Sequence, residues 1–139
     1  MNLEKIVAVS GLSGLYRMAA NRNNGLVIED LDTGKKRFAS VRKHQFTPVE
    51  SIAIYTNDGD STEIKYVFDN MLKNYDEHPP IDVKSGPKEL YGYFANILPN
   101  YDPDRVMVGD IKKIIKWFNY LNSRGYLQVL EDSAATEEE

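Results

Sequence analysis

Over the first sixty residues the apolar positions come in short runs, and the polar residues between them are turn formers. KIVAVS, GLYRMAANR, GLVIEDL, KRFASV and SIAIYT are rich in β-branched or aromatic residues. Gly11-Leu12-Ser13-Gly14, the NRNNG of residues 21–25, Asp32-Thr33-Gly34 and Thr47-Pro48 separate them. Five short strands at a spacing of about 8–12 residues predict a small β-barrel of SH3-like or Sm-like type. It would occupy residues 1–60.

From Ser61 the period lengthens. Ile64, Val67, Phe68, Met71 and Leu72 fall at i, i+3, i+4, i+7 and i+8, one face of a helix over residues 61–76 that Ser61 or Thr62 can cap. This helix would pack on the barrel or bridge two halves. Pro79-Pro80 cannot continue it, so residues 77–86 are expected to be a Pro-rich linker. A second helix starts near Pro87, carries Leu90, Phe94, Ile97 and Leu98 inward, and stops at Pro99. The last runs from about Asp110 to Arg124, with Ile111, Ile114, Ile115, Phe118 and Leu121 as its apolar stripe and Gly125 just past its end. Residues 87–130 thus form a helical domain, and residues 131–139 an acidic tail expected to be disordered. The fold class is α+β.

The segment from Leu3 to Thr56, LEKIVAVSGLSGLYRMAANRNNGLVIEDLDTGKKRFASVRKHQFTPVESIAIYT, together with DIKKIIKWFNYLNSRG at 110–125, resembles a family of conserved bacterial proteins known only as a domain of unknown function. The resemblance spans nearly all of residues 1–127. It implies a small β domain followed by a helical part, and it brings no activity, cofactor or catalytic residue.

Composition removes several chemistries. The 139 residues contain no cysteine, which excludes disulfides, thiolate nucleophiles and Cys-ligated zinc. His44 and His78 are the only imidazoles and have no ligand spacing. The run Ile6–Val9 is too short for a secretory signal, and no stretch reaches the ~18 apolar residues of a membrane span. A cytoplasmic protein without a membrane partner, metal or cofactor is expected. Gly11–Gly14 is one residue short of a G-x-S-x-G elbow, and no phosphate-binding glycine motif occurs. Asn100 to Asp104 resembles the start of a calcium loop, yet with Asp102 as position 1 Met107 stands where Gly is needed and Lys113 where the bidentate Glu belongs, and a start at Asn100 puts Arg105 and Ile111 there.

Charge is uneven. Residues 1–47 hold eight Lys/Arg against four acids, +4, so the remainder carries −8 of the net −4. The stretch DTGKKRFASVRKH, residues 32–44, is the focus. Its Asp-Thr-Gly matches half of an aspartic-protease dyad, but the adjoining cations would keep a carboxylate pair ionised, and Asp-x-Gly is turn chemistry. A three-residue loop would set Asp30 opposite Lys36, Glu29 opposite Arg37 and Ile28 opposite Phe38. A two-residue loop would pair Asp30 with Arg37 and turn Leu26, Ile28, Ala39 and Val41 inward. The first is preferred because it buries Phe38. Either leaves Arg42, Lys43 and His44 beyond the charge-paired part.

A second basic element is the last helix. Residues 105–124 carry five cations and one acid, with Lys112, Lys113 and Lys116 behind the apolar stripe, Arg124 at the end, and Trp117 and Tyr120 flanking as stacking surfaces. Two functions follow. The first is a non-enzymatic protein-interaction module, with Tyr91, Tyr93 and Tyr101 as exposed anchors for a protein partner. The alternative is an RNA- or DNA-binding protein that uses Arg42, Lys43, His44, Lys112, Lys113, Lys116, Trp117, Tyr120 and Arg124. An enzyme is the least supported class, since no catalytic motif is found. Partner identity and oligomeric state are not specified by the sequence.

Overall fold

Runs of β-branched residues broken by glycine turns do form a sheet, and its order follows from which turns are tight. In a computed structural model, which describes residues 1–130, the chain divides into two compact units. One is Leu3–Ile52; the other is the chain from Ala53 onward together with Met1–Asn2. The expected acidic tail, residues 131–139, lies outside the described residues.

The N-terminal unit is an antiparallel sheet of five strands in the order β4-β3-β2-β1-β5. The strands are β1 (Ile6–Val9), β2 (Tyr16–Arg22), β3 (Gly25–Asp30), β4 (Lys36–Ser40) and β5 (Phe46–Pro48). Val7, Val9, Leu26, Ile28 and Ala39 make its core, with Leu12, Tyr16, Met18 and Phe46 packed against them. A bulge between Met18 and Ala20 bends β2. Gly25 is required where β3 begins: a Cβ there would meet the Ala39 carbonyl oxygen and come 2.8 Å from the Phe38 ring.

One expectation is corrected. The fifth strand of the sheet is Phe46–Pro48, not the segment at 51–56. Phe46, Thr47 and Pro48 pair with Val9, Ala8 and Val7, and Pro48, which has no N–H, ends the strand. Nor is the sheet shown closed into a barrel: among the described residues no strand pairs β4 with β5.

Residues 51–56 instead contribute β6 (Ala53–Tyr55), which forms a hairpin with β7 (Ser61–Glu63) in the C-terminal unit. Gly59, at φ +85°, permits that turn, and a local partner eight residues away costs less loop entropy than a distant one. Among the described residues three α-helices follow: α1 (Ile64–Lys73), α2 (Pro87–Ile97) and α3 (Val108–Asn122). All three bury the stripes their spacing predicts, with Leu72 only half-buried. Phe68 of α1 and Phe118 of α3 meet with ring centroids 6.1 Å apart. The Asn70 side chain donates to the Ile97 carbonyl, tying α1 to α2 on either side of the Pro79-Pro80 segment. Asp69 is buried; it accepts from the Leu130 N–H at 2.8 Å and pairs with Lys73 at 2.9 Å, which holds the end of the described chain on α1. No helix among the described residues is long and apolar enough to cross a membrane.

Candidate functional site

The hairpin between β3 and β4 turns through Leu31-Asp32-Thr33-Gly34. Asp30 organises the loop. Its carboxylate accepts from the Asp32 N–H at 2.8 Å and the Thr33 N–H at 3.0 Å, while its carbonyl accepts from the Gly34 N–H at 3.0 Å. Gly34 sits at φ +75°, where a side chain would be strained. Asp32-Thr33-Gly34 is therefore turn structure at an exposed tip.

Four loop residues, not two or three, put Asp30 across from Lys35 and shift the register from both expectations. Glu29 pairs with Lys36, Ile28 with Arg37, Val27 with Phe38 and Leu26 with Ala39. One residue of slip exchanges the two faces of a strand. Phe38, expected inside, lies on the outer face with 48% exposure, and Ala39 is buried instead. Val41 is exposed rather than inward. Acids still stand across from bases, Glu29 opposite Lys36 and Asp30 opposite Lys35, but among the described residues Lys35, Lys36, Arg37, Arg42 and Lys43 make no ion pair.

The hydrogen bonds at both ends of this ladder fix what the strand offers to solvent. Asp30 donates to the Lys35 carbonyl and Val41 donates to the Asn24 carbonyl. By antiparallel alternation, Lys35, Arg37, Ala39 and Val41 turn their backbone groups toward β3, and Lys36 and Phe38 turn theirs away. No strand covers that side of β4 among the described residues. On the inner face, Arg37 reaches toward Tyr16, its guanidinium carbon 6.0 Å from the ring centroid. Tyr16, Ile28, Asp30, Lys35 and Arg37 are among the walls of an open cleft of about 400 Å³. The floor is apolar and the rim basic.

The residues expected to bind nucleic acid fall in both units. Arg42 and Lys43 are exposed in a turn that the Ser40 hydroxyl and carbonyl organise by accepting from the N–H groups of Arg42, Lys43 and His44. His44 is a clasp: its Nδ1 lies 2.7 Å from the Ser10 carbonyl, and the Ser10 hydroxyl accepts from the Gln45 N–H at 2.7 Å. Nδ1 must carry the proton to donate there. In the C-terminal unit, Lys113 and Lys116 are exposed on α3, and Lys112, Trp117 and Tyr120 are half-buried. Arg124 folds back on its own helix, 3.6 Å from the Tyr120 centroid, and donates to the Tyr120 carbonyl at 3.0 Å. A guanidinium on the last carbonyls caps the helix end.

The three tyrosines expected as anchors differ. Tyr101 stacks on Tyr91 with centroids 6.3 Å apart and meets Phe94 edge-on at 5.3 Å; burial and then the neighbouring Tyr91 raise its phenol pKa. Both are half-buried, and Tyr101 also forms a β-bridge with Thr56. Tyr93 is not an exposed anchor. It is 6% exposed, and its hydroxyl has no hydrogen-bond partner among the described residues. Its place between Leu90 and Ile97 at i+3 and i+4 spacing was the available signal. Sequence reasoning missed Tyr16 and the outward edge of β4, which depend on pairing. Among the described residues no three carboxylates or imidazoles converge as a metal centre requires.

Comparison with known proteins agrees with the resemblance read from residues 1–127. The model of a domain of unknown function, DUF6852, matches residues 52–121, half of the chain, and a second, DUF5606, matches residues 3–48. A protein from Bacteroides vulgatus, solved by NMR as a structural-genomics target, is 31% identical, with a TM-score of 0.73; the match covers 99% of this chain and 96% of that one. No curated protein matches.

Proposed function

The chain belongs to the DUF6852 family, and from that premise we propose that its N-terminal unit is a non-enzymatic, cytoplasmic interaction module that captures an extended acidic segment of a partner protein along β4. The observation that carries this reading is the edge itself. Lys36 and Phe38 present backbone donors and acceptors outward, and Lys35, Lys36, Arg37, Arg42 and Lys43, on this strand and next to it in the chain, make no ion pair among the described residues. An extended peptide satisfies such an edge by adding a strand, gaining affinity from main-chain hydrogen bonds and specificity from alternate side chains. Lysines on an edge also repel a second copy of the same edge, so the charge selects by sign. Phe38, lying over Gly25, supplies an apolar contact on the outer face.

A four-strand meander whose fifth strand returns to the first favours a sheet rolled toward a small SH3-like or Sm-like barrel, the scaffold on which this edge is held. The tyrosines and α3 lysines of the C-terminal unit are not needed for this activity.

The test is fluorescence anisotropy at 50 and 200 mM salt, with a labelled octapeptide of alternating glutamate and valine and a labelled single-stranded RNA. Micromolar binding of the peptide that disappears in Lys36→Glu is expected. RNA binding tighter than peptide binding, lost with Arg42→Glu and Lys43→Glu, would replace this reading by nucleic-acid recognition. If neither ligand binds at 50 mM salt, the edge is not a capture site.

A further inference from the structure

We infer that the cleft beside Arg37 is the specificity pocket of this edge and takes one carboxylate side chain of the captured strand. The inference rests on the strand-capture reading and adds the position at which selection occurs.

Lys36 and Phe38 would be the hydrogen-bonded residues of the new ladder, which makes Arg37 the intervening, non-hydrogen-bonded position. Opposed residues at such positions have Cα atoms only about 4.5 Å apart and side chains on the same face. The peptide residue opposite Arg37 therefore projects to the inner face, toward the cleft of about 400 Å³. The apolar floor of Ile28 and Tyr16 suits the stem of a glutamate, and the Arg37 guanidinium can bind its carboxylate by two parallel hydrogen bonds. Lys35, also on the rim, adds a second positive charge. Asp30, the one acid in these walls, already accepts two backbone N–H groups of its loop, which ties its carboxylate to the hairpin tip. Two residues along, the same face offers no such room, because Ala39 is buried. One acidic position is selected, and the others contribute only long-range attraction.

A double-mutant cycle tests this. Each glutamate of the octapeptide is replaced in turn by glutamine, and each peptide is titrated against the full-length protein, Arg37→Ala, Arg37→Lys and, as a charge control, Lys88→Ala. One replacement should weaken binding to the unaltered protein roughly tenfold, and the others about twofold. That tenfold loss should vanish in Arg37→Ala, fall part-way in Arg37→Lys, whose ammonium lacks the fork, and persist in Lys88→Ala. Arg37 is exposed, so its variants should keep the unfolding curve of the unaltered protein. Equal losses at every glutamate, or a tenfold loss that survives Arg37→Ala, would overturn the pocket and leave strand capture standing. Absence of any peptide binding would remove strand capture itself.

Discussion

Tyr93 sends its phenol into the C-terminal unit, where the hydroxyl is buried without a partner among the described residues. A buried, unsatisfied hydroxyl costs about 1–3 kcal/mol, so Tyr93→Phe should raise stability to urea by about 1 kcal/mol at neutral pH. Burial, and then the neighbouring Tyr75, raise the phenol pKa above its ordinary 10.0. The folded state therefore holds the proton more tightly than the unfolded state does. Its contribution is complete below about pH 10 and is withdrawn as pH climbs above that value. Urea curves between pH 9 and 11.5 should show the unaltered protein losing stability that Tyr93→Phe retains. Parallel pH profiles for the two would show that this phenol is not held protonated by the fold. His44 makes the complementary point. Its ring looks like part of the Arg42-Lys43 cluster in sequence, yet it is spent on the Ser10 carbonyl.

At the scale of elements, β4 and the helices contrast in how far local pattern reaches. The stripes of α1, α2 and α3 depend on a 3.6-residue period set by each helix's own backbone, and they are buried where the spacing places them. Helix ends move by two or three residues. α1 covers Ile64–Lys73 rather than 61–76, because Ser61 and Thr62, expected to cap it, pair in β7. α3 begins at Val108, where the Asp110 carboxylate accepts from the Met107 N–H, and ends at Asn122. A strand has the same local alternation, but its inward parity depends on the length of the neighbouring loop. Asp30 stabilises a loop of four residues, and that one choice exposes Phe38, buries Ala39 and changes which base each acid faces. The outward backbone of Lys36 gives a test that charge reversal cannot. Proline lacks the N–H and is tolerated at the first residue of an edge strand. Lys36→Pro should therefore keep the fold by circular dichroism while reducing peptide affinity more than Lys36→Ala does. Equal effects of the two would mean that charge alone, without strand addition, accounts for binding.

For the whole molecule, the net charge of −4 conceals two units of opposite sign. Leu3–Ile52 holds eight Lys/Arg and five acids, +3, which leaves −7 for the rest of the chain. Capture of an acidic strand by the basic unit would be steered by a field that salt screens over a Debye length of about 10 Å at 0.1 M. Stopped-flow measurements from 50 to 500 mM salt should place most of the loss of affinity in the association rate, roughly three- to tenfold. The dissociation rate, set by main-chain hydrogen bonds and the Phe38 contact, should change little. A salt-independent association rate would mean that the cations do not guide the encounter.

The sequence by itself determined the α+β class, the three buried helix faces, the turn at Asp32-Thr33-Gly34 and the family to which the chain belongs. Each of these rests on neighbours a few residues apart, or on many positions taken together. Tertiary structure alone decided that Phe46–Pro48 rather than residues 51–56 completes the sheet, that Tyr93 is buried, and that His44 is tied to Ser10. It also decided which backbone groups of β4 face outward and that Arg37 shares a cleft with Tyr16. These depend on pairing partners distant in the chain and on a loop length whose change by one residue reverses every side chain of a strand.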